Sequence, residues 1–153
     1  MSKPIYTANA HVTGGRDHGH GRTSDGELEV DVRLPTEMGG QGGGTNPEQL
    51  FAVGYAACFE GALGAVARRT KEELGEVSIE SHVSLLPTEE RGFKLAVELD
   101  VTLPAIADPA KAAELVTAAH RVCPYSNATR GNIDVVLTAN GMQIGATTGA
   151  GVG

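Results

Sequence analysis

Residues 45–70 read TNPEQLFAVGYAACFEGALGAVARRT, and the rest of the chain is organised around them. The stretch opens on two overlapping helix-start signals. Thr45 stands three residues before Glu48, the spacing of a capping box, and Asn46 precedes Pro47, a cap followed by a proline at the first helical position. Leu50, Val53, Gly54, Ala57, Cys58, Gly61 and Ala65 then fall on neighbouring faces at helical spacing. The small residues Gly54, Ala56, Ala57, Gly61, Ala62 and Gly64 cost helix propensity, chiefly at the glycines. Close approach of another backbone would offset that cost. Arg68 and Arg69 suit the negative end of a helix dipole. Cys58, one of two cysteines in the chain, lies mid-stretch.

On the N-terminal side, residues 4–13 alternate loosely and predict a strand, and Gly14–Gly19 predicts a turn. Residues 22–33 predict a hairpin about Asp25-Gly26, with Leu28, Val30, Val32 and Leu34 alternating against charge. Met38–Gly44 predicts a flexible loop. On the C-terminal side, residues 76–86 and 92–103 predict an antiparallel strand pair. Asp108-Pro109 starts a second helix with an apolar stripe at Ala112, Leu115, Val116, Ala119 and Val122. It ends near Cys123, and Pro124 stops it, a place where a thiol can be presented rather than buried. Residues 127–131 predict a turn or short helix and residues 133–139 a last strand. Residues 1–140 are expected to form one domain, and the glycine-rich tail 141–153 to be flexible. The order is an α+β pattern, not βαβ alternation.

The 153 residues carry a net charge of −7 with a pI near 5.1. That argues against nucleic acid or an anionic membrane as principal partner. No secretory leader is visible and no run approaches membrane-spanning length, so the expected compartment is the cytoplasm. There a disulfide is transient and catalytic more often than structural. Two cysteines 65 positions apart permit one such bond or two buried structural thiols, and spacing does not choose between them. No CxxC, HExxH or paired Cys/His spacing predicts a metal site, although His18 and His20 lie close together. The glycine run 39–44 lacks the Lys-Ser/Thr of a phosphate loop, and no Gly-x-Ser-x-Gly of a serine hydrolase occurs.

Three segments, TNPEQLFAVGYAACFEGAL, VCPYSNATRGNIDV and the early GGRD, closely resemble the organic hydroperoxide resistance (Ohr) proteins of the OsmC/Ohr superfamily. The resemblance runs from about Ala8 to Ala139. It implies an α+β fold: an intertwined homodimer of antiparallel sheets wrapped around a long central helix per chain, with active sites at the interface. It implies a cysteine-based thiol peroxidase that reduces fatty-acid-like organic hydroperoxides. No bound cofactor is implied, and the reductant would be dihydrolipoyl groups of lipoylated proteins. By motif, Cys58 matches the peroxidatic and Cys123 the resolving cysteine. Arg16 matches the cation that stabilises the thiolate, and Glu48 the carboxylate that orients it. Glu60 departs from the family's usual apolar residue. Phe51, Tyr55, Phe59, Tyr125 and Met38 are candidate liners of an apolar pocket.

The same features admit a non-catalytic redox sensor or a binding module for a lipid-like ligand. One geometric expectation follows from helix dimensions. In one continuous helix, Glu48 and Cys58 stand about 15 Å apart along the axis. Two such helices packed antiparallel across a two-fold would bring residue 48 of one chain to residue 58 of the other.

Overall fold

The computed structural model describes residues 2–147, in two compact units divided between Leu50 and Phe51. The first unit is a three-stranded antiparallel sheet in the order β1-β2-β3: β1 (Ala10–Thr13), β2 (Gly19–Thr23) and β3 (Glu29–Val32). The first strand is shorter than the expected 4–13. Ile5 and Tyr6 lie in an exposed lead-in outside the strand, with a bend at Ile5. The Asp25-Gly26 turn forms as expected, with the Gly26 N–H donating to the Thr23 carbonyl at 2.9 Å. The run after Thr45 is tied to β3, where Thr45 N–H donates to the Asp31 carbonyl and Arg33 N–H to the Thr45 carbonyl, both at 2.9 Å.

Helix α1 (Pro47–Thr70) starts at the end of this unit, and its body belongs to the second. Of the two start signals, Asn46 is the working cap: its Oδ1 accepts the Gln49 N–H at 2.9 Å. The Thr45 hydroxyl donates to Gln49 Oε1 at 3.0 Å, so no capping box with Glu48 forms. The helix runs unbroken past Gly54 and, contrary to the sequence expectation, is long and apolar enough by length and composition to cross a membrane. It has two apolar faces. Tyr55, Phe59 and Leu63 are fully buried, whereas Leu50, Val53, Ala57 and Gly61, also at helical spacing, are exposed.

The second unit is completed by β4 (Ser78–Pro87), β5 (Phe93–Thr102), α2 (Pro109–Val122), α3 (Pro124–Thr129), β6 (Val135–Ala139) and β7 (Met142–Thr147). Its sheet has the order β4-β5-β6-β7. The β4–β5 pair is antiparallel as expected, but β5–β6 is parallel, so the sheet is mixed rather than antiparallel. The reason is the connection: α2 and α3 carry the chain back to the starting end of the sheet, which a hairpin cannot do. Val97, Leu99 and Val101 on β5 and Val135 and Leu137 on β6 alternate inward and pack with the buried face of α1. Ala112, Leu115, Val116 and Ala119 of α2 complete this core; Val122 of the expected stripe stays partly exposed. Asp108 caps α2 through the Ala110 N–H.

The stretch expected to be a flexible tail contributes a strand instead. Asn140 (φ 50°) and Gly141 (φ 83°) form a two-residue turn with both residues left-handed, the Asn-Gly geometry of a tight hairpin, and β7 pairs antiparallel with β6. Composition hid this, because the same glycines that lower strand propensity supply the turn. Asn140 is further anchored by its side chain, which accepts from Leu103 N–H at 2.7 Å and donates to the Leu103 and Ile106 carbonyls at 3.2 and 3.1 Å. Residues 148–153 of the expected tail lie outside the described residues.

Candidate active site

In the first unit, the turn after β1 carries Arg16, and the first turn of α1 carries Glu48. The two meet in a bidentate pair, Nη1 to Oε2 at 2.9 Å and Nη2 to Oε1 at 2.7 Å. Two parallel charge-assisted bonds fix the plane of the guanidinium as well as its position. The Arg16 bond holds the Glu48 carboxyl below its usual range, and Glu48 in turn raises the Arg16 pKa. Arg16 also borders a cavity of about 370 Å³ whose other walls include Val12, Gly21, Leu28, Val30, Val32 and Leu50. Of the expected pocket liners, only Met38 lies in this unit, exposed in a short 3-10 turn at Thr36–Met38. The apolar walls are residues that sequence reasoning did not name. Their signal was the alternation Leu28, Val30, Val32, which puts all three on one sheet face.

In the second unit, α1 presents Cys58, part-exposed, and the corner between α2 and α3 holds Cys123. Both thiols are free, and Cys123 is close enough to raise the Cys58 pKa. Cys123 is fully buried, which its place before Pro124 had left open. The Pro124 turn folds α3 back instead of releasing the chain, since α3 begins at Pro124 itself. Burial pushes the Cys58 thiol up; the Tyr125 backbone N–H, which donates to its sulfur, pulls it down; the neighbouring Cys123 favours the protonated form. None of these causes is a cation.

Around the thiols, Phe51, Tyr55 and Tyr125 form a three-ring cluster with centroids 5.6–5.9 Å apart. Phe51 is half-buried and Tyr125 partly exposed, so these two offer apolar surface, while Tyr55 and Phe59 are fully buried. Gly54 is needed beneath Tyr125: a Cβ there would stand 2.8 Å from the phenol oxygen. Glu60 is exposed, and among the described residues no side-chain hydrogen bond or ion pair involves it. In the N-terminal sheet, His20 is held between Asp31 at 2.9 Å and Glu29 at 3.0 Å. Among the described residues no cluster of three His, Cys, Asp or Glu side chains could hold a metal.

Two neighbouring thiols, one of them accessible, can cycle between dithiol and disulfide; an ion pair that orients a guanidinium can stabilise an anion. Comparison with known proteins meets this chemistry. A family model described as OsmC-like protein matches residues 40–138. An organic hydroperoxide resistance protein of Xanthomonas axonopodis pv. citri is 55% identical over 140 residues, 89% of this chain and 95% of the relative. A crystal structure of an organic hydroperoxide resistance protein from Legionella pneumophila is 53% identical, with a TM-score of 0.84 over 88% of this chain and 97% of the other. A structure from Vibrio cholerae, 48% identical, has a TM-score of 0.87 over 92% of this chain and 96% of the other, and it holds captopril in one of its active sites.

Proposed function

From the premise that the chain belongs to the organic hydroperoxide resistance branch of the OsmC-like family, we propose that it is a cysteine-based thiol peroxidase acting on organic hydroperoxides in defence against peroxide stress. The observation that carries this reading is the pair of free, neighbouring thiols, one part-exposed on α1 and one buried at the α2–α3 corner.

In the proposed cycle, the Cys58 thiolate attacks the terminal oxygen of the hydroperoxide. The O–O bond breaks, the alkoxide leaves and takes up a proton as the alcohol, and Cys58 becomes a sulfenic acid. The Cys123 sulfur then attacks the Cys58 sulfur. The S–S bond forms, the S–O bond breaks, and the hydroxide departs with the Cys123 proton as water. A dihydrolipoyl group of a lipoylated protein reduces the disulfide by exchange and leaves as the lipoyl disulfide. The protein itself needs no bound cofactor, and a reducing cytoplasm suits the recycling step. Substrate chains would lie on apolar surface from Phe51 and Tyr125, each buried methylene contributing about 0.8 kcal/mol.

The thiol needs a cation, because its own surroundings raise its pKa. We assign that cation to Arg16, oriented by Glu48, and we assign the two halves of each site to different subunits of a homodimer. Three features support this. Helix α1 is continuous, which separates Glu48 and Cys58 by about 15 Å within a chain. A small-residue apolar stripe on α1 is exposed, and so is the apolar lead-in Ile5-Tyr6. Two copies of the stripe packed antiparallel would set Cys58 against Arg16 and Glu48 of the partner subunit.

The test is hydroperoxide consumption with a dihydrolipoyl reductant. Wild type should turn over. Cys58→Ser should be inactive, and Cys123→Ser should consume about one equivalent and stop. A wild type that is oxidised once and does not turn over would instead be a sensor, and full activity in Cys58→Ser would overturn the assignment.

A further inference from the structure

Four buried side chains on three helices form one hydrogen-bonded chain flanking both thiols. Tyr55 of α1 meets the Ser126 hydroxyl at 2.8 Å and the Thr129 hydroxyl at 3.1 Å, and His120 Nδ1 meets the same Ser126 oxygen at 2.8 Å. Tyr55 and Ser126 are wholly buried, Thr129 and His120 nearly so. The protons can be placed in order. The Thr129 hydroxyl donates to the Ser126 carbonyl at 3.3 Å, so it accepts from Tyr55. Tyr55 has then spent its only proton and accepts from Ser126. Ser126 has spent its own and accepts from His120 Nδ1–H. The proton of that bond therefore sits on Nδ1, and the buried Nε2 has no hydrogen-bond partner among the described residues. Burial and then the charge of Arg130 lower the His120 pKa, which disfavours a second proton on the ring. Arg130 also clamps the corner from outside, donating to the His120 carbonyl and, at 2.9 Å, to Asn127 Oδ1.

Placement gives the chain a purpose. Tyr55 lies three residues, about one turn, before Cys58. His120 and Ser126 lie three residues on either side of Cys123. The hydrogen bonds thus tie the corner that carries Cys123 to the helix turn that precedes Cys58. We propose that this chain, with Tyr55 as its hub, is a positioning device for disulfide closure, holding Cys123 in register to attack oxidised Cys58; the proposal rests on the thiol-peroxidase reading above. The four members bond to one another and none of them is among the groups that shift the Cys58 thiol, so the first step, assisted by the Arg16 cation, should depend on the chain little. When closure lags, a second hydroperoxide reaches the sulfenic acid. It transfers one oxygen, leaves as the alcohol, and yields the sulfinic acid.

The test compares wild type, Tyr55→Phe, Thr129→Val and Thr129→Ser, each oxidised with tert-butyl hydroperoxide. Rapid quench and mass spectrometry separate sulfenic acid, disulfide and sulfinic acid. Tyr55→Phe keeps the ring and should oxidise Cys58 within about twofold of the wild-type rate. It should close the disulfide about tenfold or more slowly, as small misplacements of reacting atoms do, and accumulate sulfinic acid as peroxide is raised. Thr129→Val should slow closure less, and Thr129→Ser should restore it. Should Tyr55→Phe fail to fold, the Thr129 pair carries the test alone. Wild-type closure rates in Tyr55→Phe and Thr129→Val, or equal slowing of both steps, overturn the positioning role while the peroxidase reading stands. A wild type that forms no disulfide overturns that reading and this one with it.

Discussion

Gly54 stands at an interior position of a 24-residue helix, where alanine is ordinarily favoured by about 0.8–1 kcal/mol. Here the substitution should reverse sign. A Cβ at 54 would lie 2.8 Å from the Tyr125 phenol oxygen, 3.3 Å from Cζ and 3.4 Å from Cε2. Tyr125 can yield only by leaving its contacts with Phe51 and Tyr55, each worth about 0.5–1.5 kcal/mol beyond area burial. Overpacking of this kind costs about 1–3 kcal/mol. Set against the propensity gain, Gly54→Ala should be neutral to about 2 kcal/mol destabilising. Tyr125→Phe removes the nearest atom and leaves contacts of 3.3 and 3.4 Å, tight enough that the ring must shift by a few tenths of an ångström. In that background Gly54→Ala should stabilise by a few tenths to about 1 kcal/mol. Urea denaturation of the four proteins at one protein concentration would measure the coupling, expected at about 1–2 kcal/mol. Equal effects of Gly54→Ala in both backgrounds, within about 0.5 kcal/mol, would refute the packing argument.

Asn140→Ala should destabilise by about 2–4 kcal/mol, since it removes three hydrogen bonds and forces a Cβ-bearing apolar residue to φ 50°. Asn140→Gly keeps the turn and should be milder by about 1 kcal/mol, which the same denaturation series would show. The His120 pKa is lowered, first by burial and then by Arg130, so near its ordinary value of about 6.5 the unfolded chain binds more protons than the folded one. Stability should therefore fall as pH drops through about 6.5, until the folded pKa is passed. His120→Gln should flatten that part of the wild-type profile, and an unchanged profile would refute the assignment. His20 is raised by Asp31 and Glu29 and acts oppositely, its contribution present below 6.5 and lost as pH rises through its folded pKa. Mixing Arg16→Ala chains with Cys58→Ser chains should restore roughly a quarter of wild-type peroxidase activity, because half the dimers are mixed and each has one intact site. No recovery, from chains shown to exchange, would place Arg16 and Cys58 of one site in the same subunit.

What the sequence made legible was local. Asn46-Pro47 and Asp108-Pro109 announce helix starts because a cap and a first-turn proline act within three residues, and both helices begin there. The β4–β5 hairpin followed from period-two alternation on both sides of a turn. What failed was non-local or masked by composition. Burial of Cys123 depends on α3 folding back, which a helix-stopping proline does not reveal. The parallel β5–β6 pairing depends on where a two-helix crossover lands. Ser126 and Thr129 stand 71 and 74 positions from Tyr55, so no periodicity links them. Arg16 and Glu48 are 32 apart, and only the family resemblance put them together. The Asn140-Gly141 hairpin was local and readable, but it lay inside a glycine-rich stretch whose composition suggested disorder.

The electrostatics of Cys58 carry the strongest argument about assembly. Within its own unit the thiol is pushed up by burial and by Cys123, and one backbone N–H opposes them. A partly desolvated thiol without a cation is a poor nucleophile, since the thiolate is the reactive form. The chain nevertheless builds a fixed guanidinium, locked by two short bonds to a carboxylate and exposed on one side. A surface ion pair of that kind adds little stability, so its precise bidentate geometry is better explained as preparation for an anion. An arrangement in which the partner subunit supplies the cation makes reactivity conditional on pairing. An unpaired chain would keep Cys58 protonated and slow to oxidise, and the active thiolate would exist only where the second copy also covers the exposed stripe of α1. Dilution below the dimer dissociation constant should then lower the peroxide reactivity of Cys58 in step with the monomer fraction, and reactivity independent of dilution would break that link.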